Sequence, residues 1–203
     1  IDRFILALDL RQDQQLMMQH QILDEFCQSF GDEVNRKLIS YVEVKQSDNV
    51  EFLLKNGADA NAQDKDGNTA LMIAVSARNF GIAKMLIDYG ADALLTNPCG
   101  NSALILAVKV GDESIVNLLL ENNAANINDR NIRGRNPLIE ASKRGYGQLV
   151  QTLLRFGANP NLKSKKGNTA LIEATKNGHK DVVRILITGG ADINIQNTYG
   201  DTA

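Results

Sequence analysis

The sequence predicts an all-α solenoid of stacked helix-turn-helix repeats, preceded by an N-terminal helical cap, and three observations carry that expectation. Glycines recur at Gly67, Gly100, Gly134, Gly167 and Gly200, at intervals of 33, 34, 33 and 33 residues, and a fixed period of this length is the signature of a repeat architecture. Each glycine opens a similar word: Gly67-Asn68-Thr69-Ala70-Leu71, Gly100-Asn101-Ser102-Ala103-Leu104, Gly134-Arg135-Asn136-Pro137-Leu138 and Gly167-Asn168-Thr169-Ala170-Leu171. The units also close alike: Leu53-Leu54 leads to Gly57-Ala58-Asp59-Ala60-Asn61, Leu153-Leu154 to Gly157-Ala158-Asn159-Pro160-Asn161, and Leu186-Ile187 to Gly190-Ala191-Asp192-Ile193-Asn194.

Taken in order, residues 1–30 form the expected cap. Met18, Ile22, Phe26 and Phe30 fall at every fourth position beside Leu16 and Leu23, and Gly31 can stop that helix. An exposed first repeat needs a lid, so a structural role is expected, with a partner-binding or membrane-surface helix as the alternative. Residues 31–63 read as a degenerate first repeat, with Val34 for the turn glycine, Arg36 for the N-cap and Tyr41 for the small core Ala. Full repeats occupy 64–96, 97–130, 131–163 and 164–196, and 197–203 starts a truncated further one. The one extra residue falls within Asn122-Asn123-Ala124-Ala125-Asn126.

Each recurring word has a physical use. Thr69, Ser102, Asn136 and Thr169 are suited to cap a first helix, since a side-chain oxygen there can accept from the free N–H groups of the first turn. Pro137 then stands at the first helical position, where its missing N–H costs nothing. Leu71, Ala74 and Val75, like Leu171, Ala174 and Thr175, mark a buried stripe whose small members let neighbouring helices approach. Ile115, Val116, Leu118 and Leu119, and likewise Val182, Val183, Ile185 and Leu186, give the second helices a wide apolar face. Gly57, Gly90, Gly157 and Gly190, with Asn123 as the substitute, fit the left-handed position past a helix end.

Together these words resemble the ankyrin repeat, whose turn reads Gly-x-Thr-Pro-Leu-His, and the resemblance spans residues 31–203. It implies a protein-binding scaffold or adaptor rather than an enzyme. Where the family prefers His, this chain has Met72, Ile105, Ile139 and Ile172, so apolar packing is expected to carry more of the contact between repeats. The Thr-Ala-Leu spelling resembles repeats from bacteria that live inside eukaryotic cells as well as eukaryotic ones, which admits a bacterial effector. A start at Ile1 suggests a piece of a longer parent, with further repeats or a cap expected after Ala203.

Composition sets the outer bounds. A chain with 43% hydrophobic and 23% charged residues has the profile of a soluble folded protein, and 5% aromatics without Trp leave an aliphatic core. With no long apolar stretch and no signal segment, an intracellular, cytoplasmic location is expected, in the host cytosol for a secreted effector. Cys27 and Cys99 read as free thiols. His20 and His179 have no nucleophile or metal partner at a telling spacing, and neither Gly189-Gly190 nor Lys165-Lys166-Gly167 is a phosphate loop. No catalysis, cofactor, small-molecule substrate or metal is expected.

Charge placement narrows the binding expectation. Residues 1–63 hold 6 basic and 11 acidic residues, 64–130 hold 5 and 8, and 131–203 hold 11 and 5, so the net runs −5, −3 and +6 along the chain. The ankyrin resemblance implies binding through the turn tips and the exposed side of the first helices. There it gathers Lys109, Arg130, Arg133, Arg135, Lys143, Arg144, Lys163, Lys165, Lys166 and Lys176 as a partner-binding strip for an acidic or phosphorylated protein segment. The plainer alternative is solvating charge, with Glu140 paired to Lys143 and Arg144 and Glu173 to Lys176, each worth only about 0.2–0.5 kcal/mol. Nucleic-acid or acidic-lipid binding by the same strip ranks lower, because no aromatics interleave for base stacking. Recruitment of substrate to an enzyme elsewhere in the parent is the third reading.

Overall fold

The first helices of the repeats lie side by side because their contact positions carry almost no side chain. Ala70 and Ala74, Ala103 and Ala107, Ala141, and Ala170 and Ala174 are all essentially buried. In the computed structural model, which describes residues 31–122 and 124–203, ten helices follow one another without a strand among the described residues. Helix α1 covers residues 31–43 and is followed by α2 (Ser47–Lys55). Four helix pairs then repeat: α3 (Ala70–Ser76) with α4 (Phe80–Asp88), α5 (Ala103–Val110) with α6 (Glu113–Glu121), α7 (Pro137–Arg144) with α8 (Gly147–Arg155), and α9 (Ala170–Lys176) with α10 (Lys180–Thr188). The predicted all-α repeat solenoid is thus observed.

From α3 to α9, first helices contact one another more extensively than the second helices from α2 to α8 do. A layer packed more tightly than its neighbour forms the inner side of a curve, so the stack bends around its first helices. One continuous apolar seam runs between the layers, from Leu38 and Val42 through Leu71, Leu104, Leu119, Leu138 and Leu153 to Leu171 and Leu186. Met72, Ile105, Ile139 and Ile172, which replace the His of the turn motif, are all buried.

Helix ends follow the expected chemistry with one exception. Thr69 Oγ1 accepts from Met72 N at 3.2 Å, Asn136 Oδ1 from Ile139 N at 2.8 Å and Thr169 Oγ1 from Ile172 N at 3.3 Å. Pro137 stands at the start of α7. Ser102, expected to cap α5, makes no such bond. Its neighbour is Asp129, which occupies the register position held by Ala62, Leu95, Leu162 and Ile195 in the other repeats. Burial pushes the Asp129 carboxyl pKa up, and the Ser102 hydroxyl only partly opposes that.

A carboxyl whose pKa is raised on folding favours the fold when protonated and costs stability once pH rises through the folded value. Asp129→Leu is therefore expected to raise Tm at neutral pH by roughly 2–4 °C, the equivalent of about 1 kcal/mol for a chain of this size. The gain over the parent should narrow as pH falls through the carboxyl range. Thermal melts at neutral and acid pH check both, and a variant that melts lower at neutral pH would remove this account of Asp129.

The degenerate repeat departs from its expected form. Among the described residues α1 runs unbroken from Gly31, so no turn forms at Val34 and no cap at Arg36; the helix that Gly31 is expected to stop lies outside the described residues. With Val in place of the left-handed glycine and Arg in place of the cap, nothing interrupts the helical hydrogen-bond ladder, and one helical glycine costs only about 1 kcal/mol relative to Ala. The expected cap over residues 1–30, with Cys27 and His20, lies outside the described residues, as does the left-handed role of Asn123.

Candidate partner-binding face

The tip turns are built from one repeated side chain. Three residues before the turn glycine, Asp64, Asn97, Asn131 and Asn197 each accept from two backbone N–H groups of their own turn, at 2.8–3.1 Å. The same asparagines reach back to the preceding repeat: Asn97 Nδ2 donates to Asn68 Oδ1 at 2.9 Å, Asn131 to Asn101 at 3.3 Å and Asn197 to Asn168 at 3.0 Å. Main-chain bonds add a second link, with Ile132 N donating to Cys99 O at 3.1 Å, Lys165 N to Arg133 O at 3.0 Å and Thr198 N to Lys166 O at 3.2 Å. Pro98 has no N–H to continue that series.

One junction uses different chemistry. Arg135 stands where its neighbours have Asn, and Ser164 stands where the next repeat would supply the donating Asn. The Arg135 guanidinium lies 3.8 Å from Glu140 Oε1 and 3.7 Å from Glu173 Oε1, with only 15% of its side chain exposed. Glu140 also binds the Arg144 guanidinium and accepts from Asn131 Nδ2 at 3.4 Å, and Glu173 accepts from Asn168 Nδ2 at 2.9 Å. The two carboxylates are buried, so of the expected weak surface pairs only Glu140 with Arg144 forms, on a buried carboxylate, and neither Lys143 nor Lys176 pairs with them. Arg135 and Arg144, placed in the strip as solvent-facing cations, instead neutralise buried carboxylates. Small alanines around the first helices leave room for a carboxylate there, and burial then requires a cation beside it.

The remaining cations divide by position. Lys165, Lys166 and Lys176 are exposed, Arg133 is exposed at a tip, and Lys143 is half-buried; none takes part in an ion pair among the described residues. Arg130 donates to Lys163 O, and Lys163 Nζ donates to Gln196 O at 3.0 Å, so both brace the following repeat while their charges stay exposed. Lys109 reaches Asn101 Oδ1 at 2.8 Å. Burial is the main reason its pKa is lowered, Glu140 opposes that, and the Arg144 and Arg133 charges add to it.

Sequence reasoning missed an apolar counterpart. Ile73 and Leu106 hold the register position of Glu140 and Glu173, and with Met72, Ser76, Ala77 and Glu43 they line a hollow of about 400 Å³ on the inner side of the first two full repeats. The signal was present in the alignment of the four first helices, where this one column switches from apolar to acidic. Among the described residues no group of three or more His, Cys, Asp or Glu could hold a metal ion, and no helix is long and apolar enough to cross a membrane.

A curved stack of helix pairs with side-chain-tied tips and an inner face that changes chemistry along its length defines an interaction solenoid. The family model for ankyrin repeats, which describes three copies, matches residues 38–131 and again 123–197. The chain belongs to the ankyrin-repeat family, whose repeats are general protein-protein interaction modules. No curated protein matched the chain.

Proposed function

We propose that this chain is a cytoplasmic scaffold or adaptor module that takes an acidic or phosphorylated segment of a protein partner along the tips and first helices of its second to fourth full repeats. The supporting observation is the separation of two kinds of cation. Arg135 and Arg144 are committed to Glu140 and Glu173 below the surface, whereas Arg133, Lys143, Lys165, Lys166 and Lys176 have no anionic partner among the described residues. Charges within a Debye length of about 8 Å at physiological salt reinforce one another as an encounter surface.

The test reverses Arg133, Lys165 and Lys166 to Glu and compares association with a fluorescent acidic peptide against a control reversing Arg155, Lys180 and Arg184. The control residues are exposed on the second helices, away from the tips. The tip variant is expected to associate at least about tenfold more slowly and to lose most of the salt dependence, with Tm near the parent value because exposed charges contribute little to stability. Loss of binding in the control alone, or affinity indifferent to salt, would refute the reading. Arg144 is left intact because reversing it would place a third carboxylate beside buried Glu140.

A further inference from the structure

Two hollows lie on either side of Ile132 and Arg133. The first, about 250 Å³, is lined by Lys109, Arg133, Lys143 and Arg144, with Glu140 in its wall. The second, about 300 Å³, is lined by Arg133, Ser164, Lys165 and Lys166. In the first, Arg144 is already bound to Glu140, which leaves Lys143 and Arg133 without an anionic partner among the described residues and Lys109 held only by the neutral Asn101 Oδ1. Among the described residues no carboxylate lines the second. Both hollows therefore hold an excess of positive charge over the acidic groups that the described residues supply.

Their separation is set by the fold. The tips bearing Cys99, Arg133 and Lys166 are joined main chain to main chain, and packed helices stand about 8–10 Å apart. An extended chain rises about 3.3 Å per residue, so about three residues span one repeat. Between the hollows Ile132 is 54% exposed, an apolar surface over which the middle of such a chain would pass.

We infer that the two hollows are paired anion seats, selecting an extended partner segment with two acidic side chains about three residues apart that crosses Ile132. The inference rests on the acidic-partner reading above and adds a spacing rule to it. A phosphoryl group, with a charge near −2 and three acceptor oxygens, fills either seat more completely than a carboxylate.

The test measures binding of the full chain to fluorescent peptides of one composition in which two Glu residues stand about one, three or six positions apart, the three-residue spacing being the match to one repeat. The matched peptide is expected to bind at least about tenfold tighter than either other spacing, and tighter again with phosphoserine in place of one Glu. Lys109→Ala with Lys143→Ala should bring the matched peptide to the level of a single-Glu peptide, and so should Lys165→Ala with Lys166→Ala, each with a Tm close to the parent's. Equal affinity for all three spacings would overturn the paired seats while leaving a diffuse acidic preference standing. Absence of binding to every acidic peptide would instead remove the reading beneath it. Tighter binding to single-stranded RNA or to anionic vesicles than to the matched peptide would overturn both.

Discussion

Arg135→Ala is expected to lower stability by about 2–4 kcal/mol, the larger part of it through Glu173. Removing one partner of a buried ion pair usually costs about 3–5 kcal/mol, because the other charge is left desolvated and unpaired. Here Glu140 retains Arg144 and Asn131, but Glu173 retains only Asn168 among the described residues. Separations of 3.7 and 3.8 Å and the partial exposure of Arg135 place the effect toward the lower end. At about 2–4 °C per kcal/mol for a chain of this size, Tm should fall by roughly 4–16 °C. Adding Glu173→Gln to the variant should recover much of the loss, since an amide can be buried beside Asn168 without a counter-charge. A variant that melts within about 1 °C of the parent would show that the guanidinium does not tie these repeats together.

Gly134→Ala should be comparably damaging for a different reason. The glycine sits at φ +69, where an L side chain costs about 1–2 kcal/mol, and a Cβ built there would lie 2.7 Å from Lys165 N. Lys165 N is the donor to Arg133 O, so the added methyl must push apart the two tips that carry the exposed cations. With the loss of that bond, worth about 0.5–1.5 kcal/mol, the total reaches about 2–3 kcal/mol. Urea melts measure it, and amide exchange locates it: Lys165 N–H should lose protection while amides of α3 and α5 keep theirs. Undiminished protection at Lys165 would mean that the tip contact adapts and the estimate is wrong.

The period, the helix pairs and three of the four caps were legible in the sequence because each depends on local chemistry. A left-handed glycine, a hydroxyl or amide before a first turn, and an apolar column at helical spacing act within one repeat. Ser102 could not be read that way, since what lies beside it is Asp129, at the far end of its own repeat. Arg135 and Arg144 were misplaced for the same reason. The spacing of Arg144 to Glu140 suggested a solvated helix face and Arg135 read as a tip cation, whereas the packing of α9 against α7 buries Glu140 and brings Glu173 within reach of Arg135. The degenerate repeat showed the opposite lesson: Val34 and Arg36 were recognised as poor turn residues, yet the consequence, an unbroken helix, follows only when the missing turn is taken at face value.

Pro98 has an effect on the mechanics of the stack. From Ile132 to Thr198 each tip donates a main-chain bond to the one before it, so those tips shear past one another only by breaking hydrogen bonds. Between the first and second full repeats the prolyl ring rests against Gly67 instead, and among the described residues the tips are linked there by side chains such as Asn97 to Asn68 rather than main chain to main chain. The tip edge is thus stiff over its basic stretch and compliant at one joint beside the apolar hollow of Ile73 and Leu106. A rigid section holds fixed intervals against a ligand, and a pliant one lets the neighbouring surface adjust its angle. The one proline at this tip position therefore divides the inner face into a part that measures and a part that conforms.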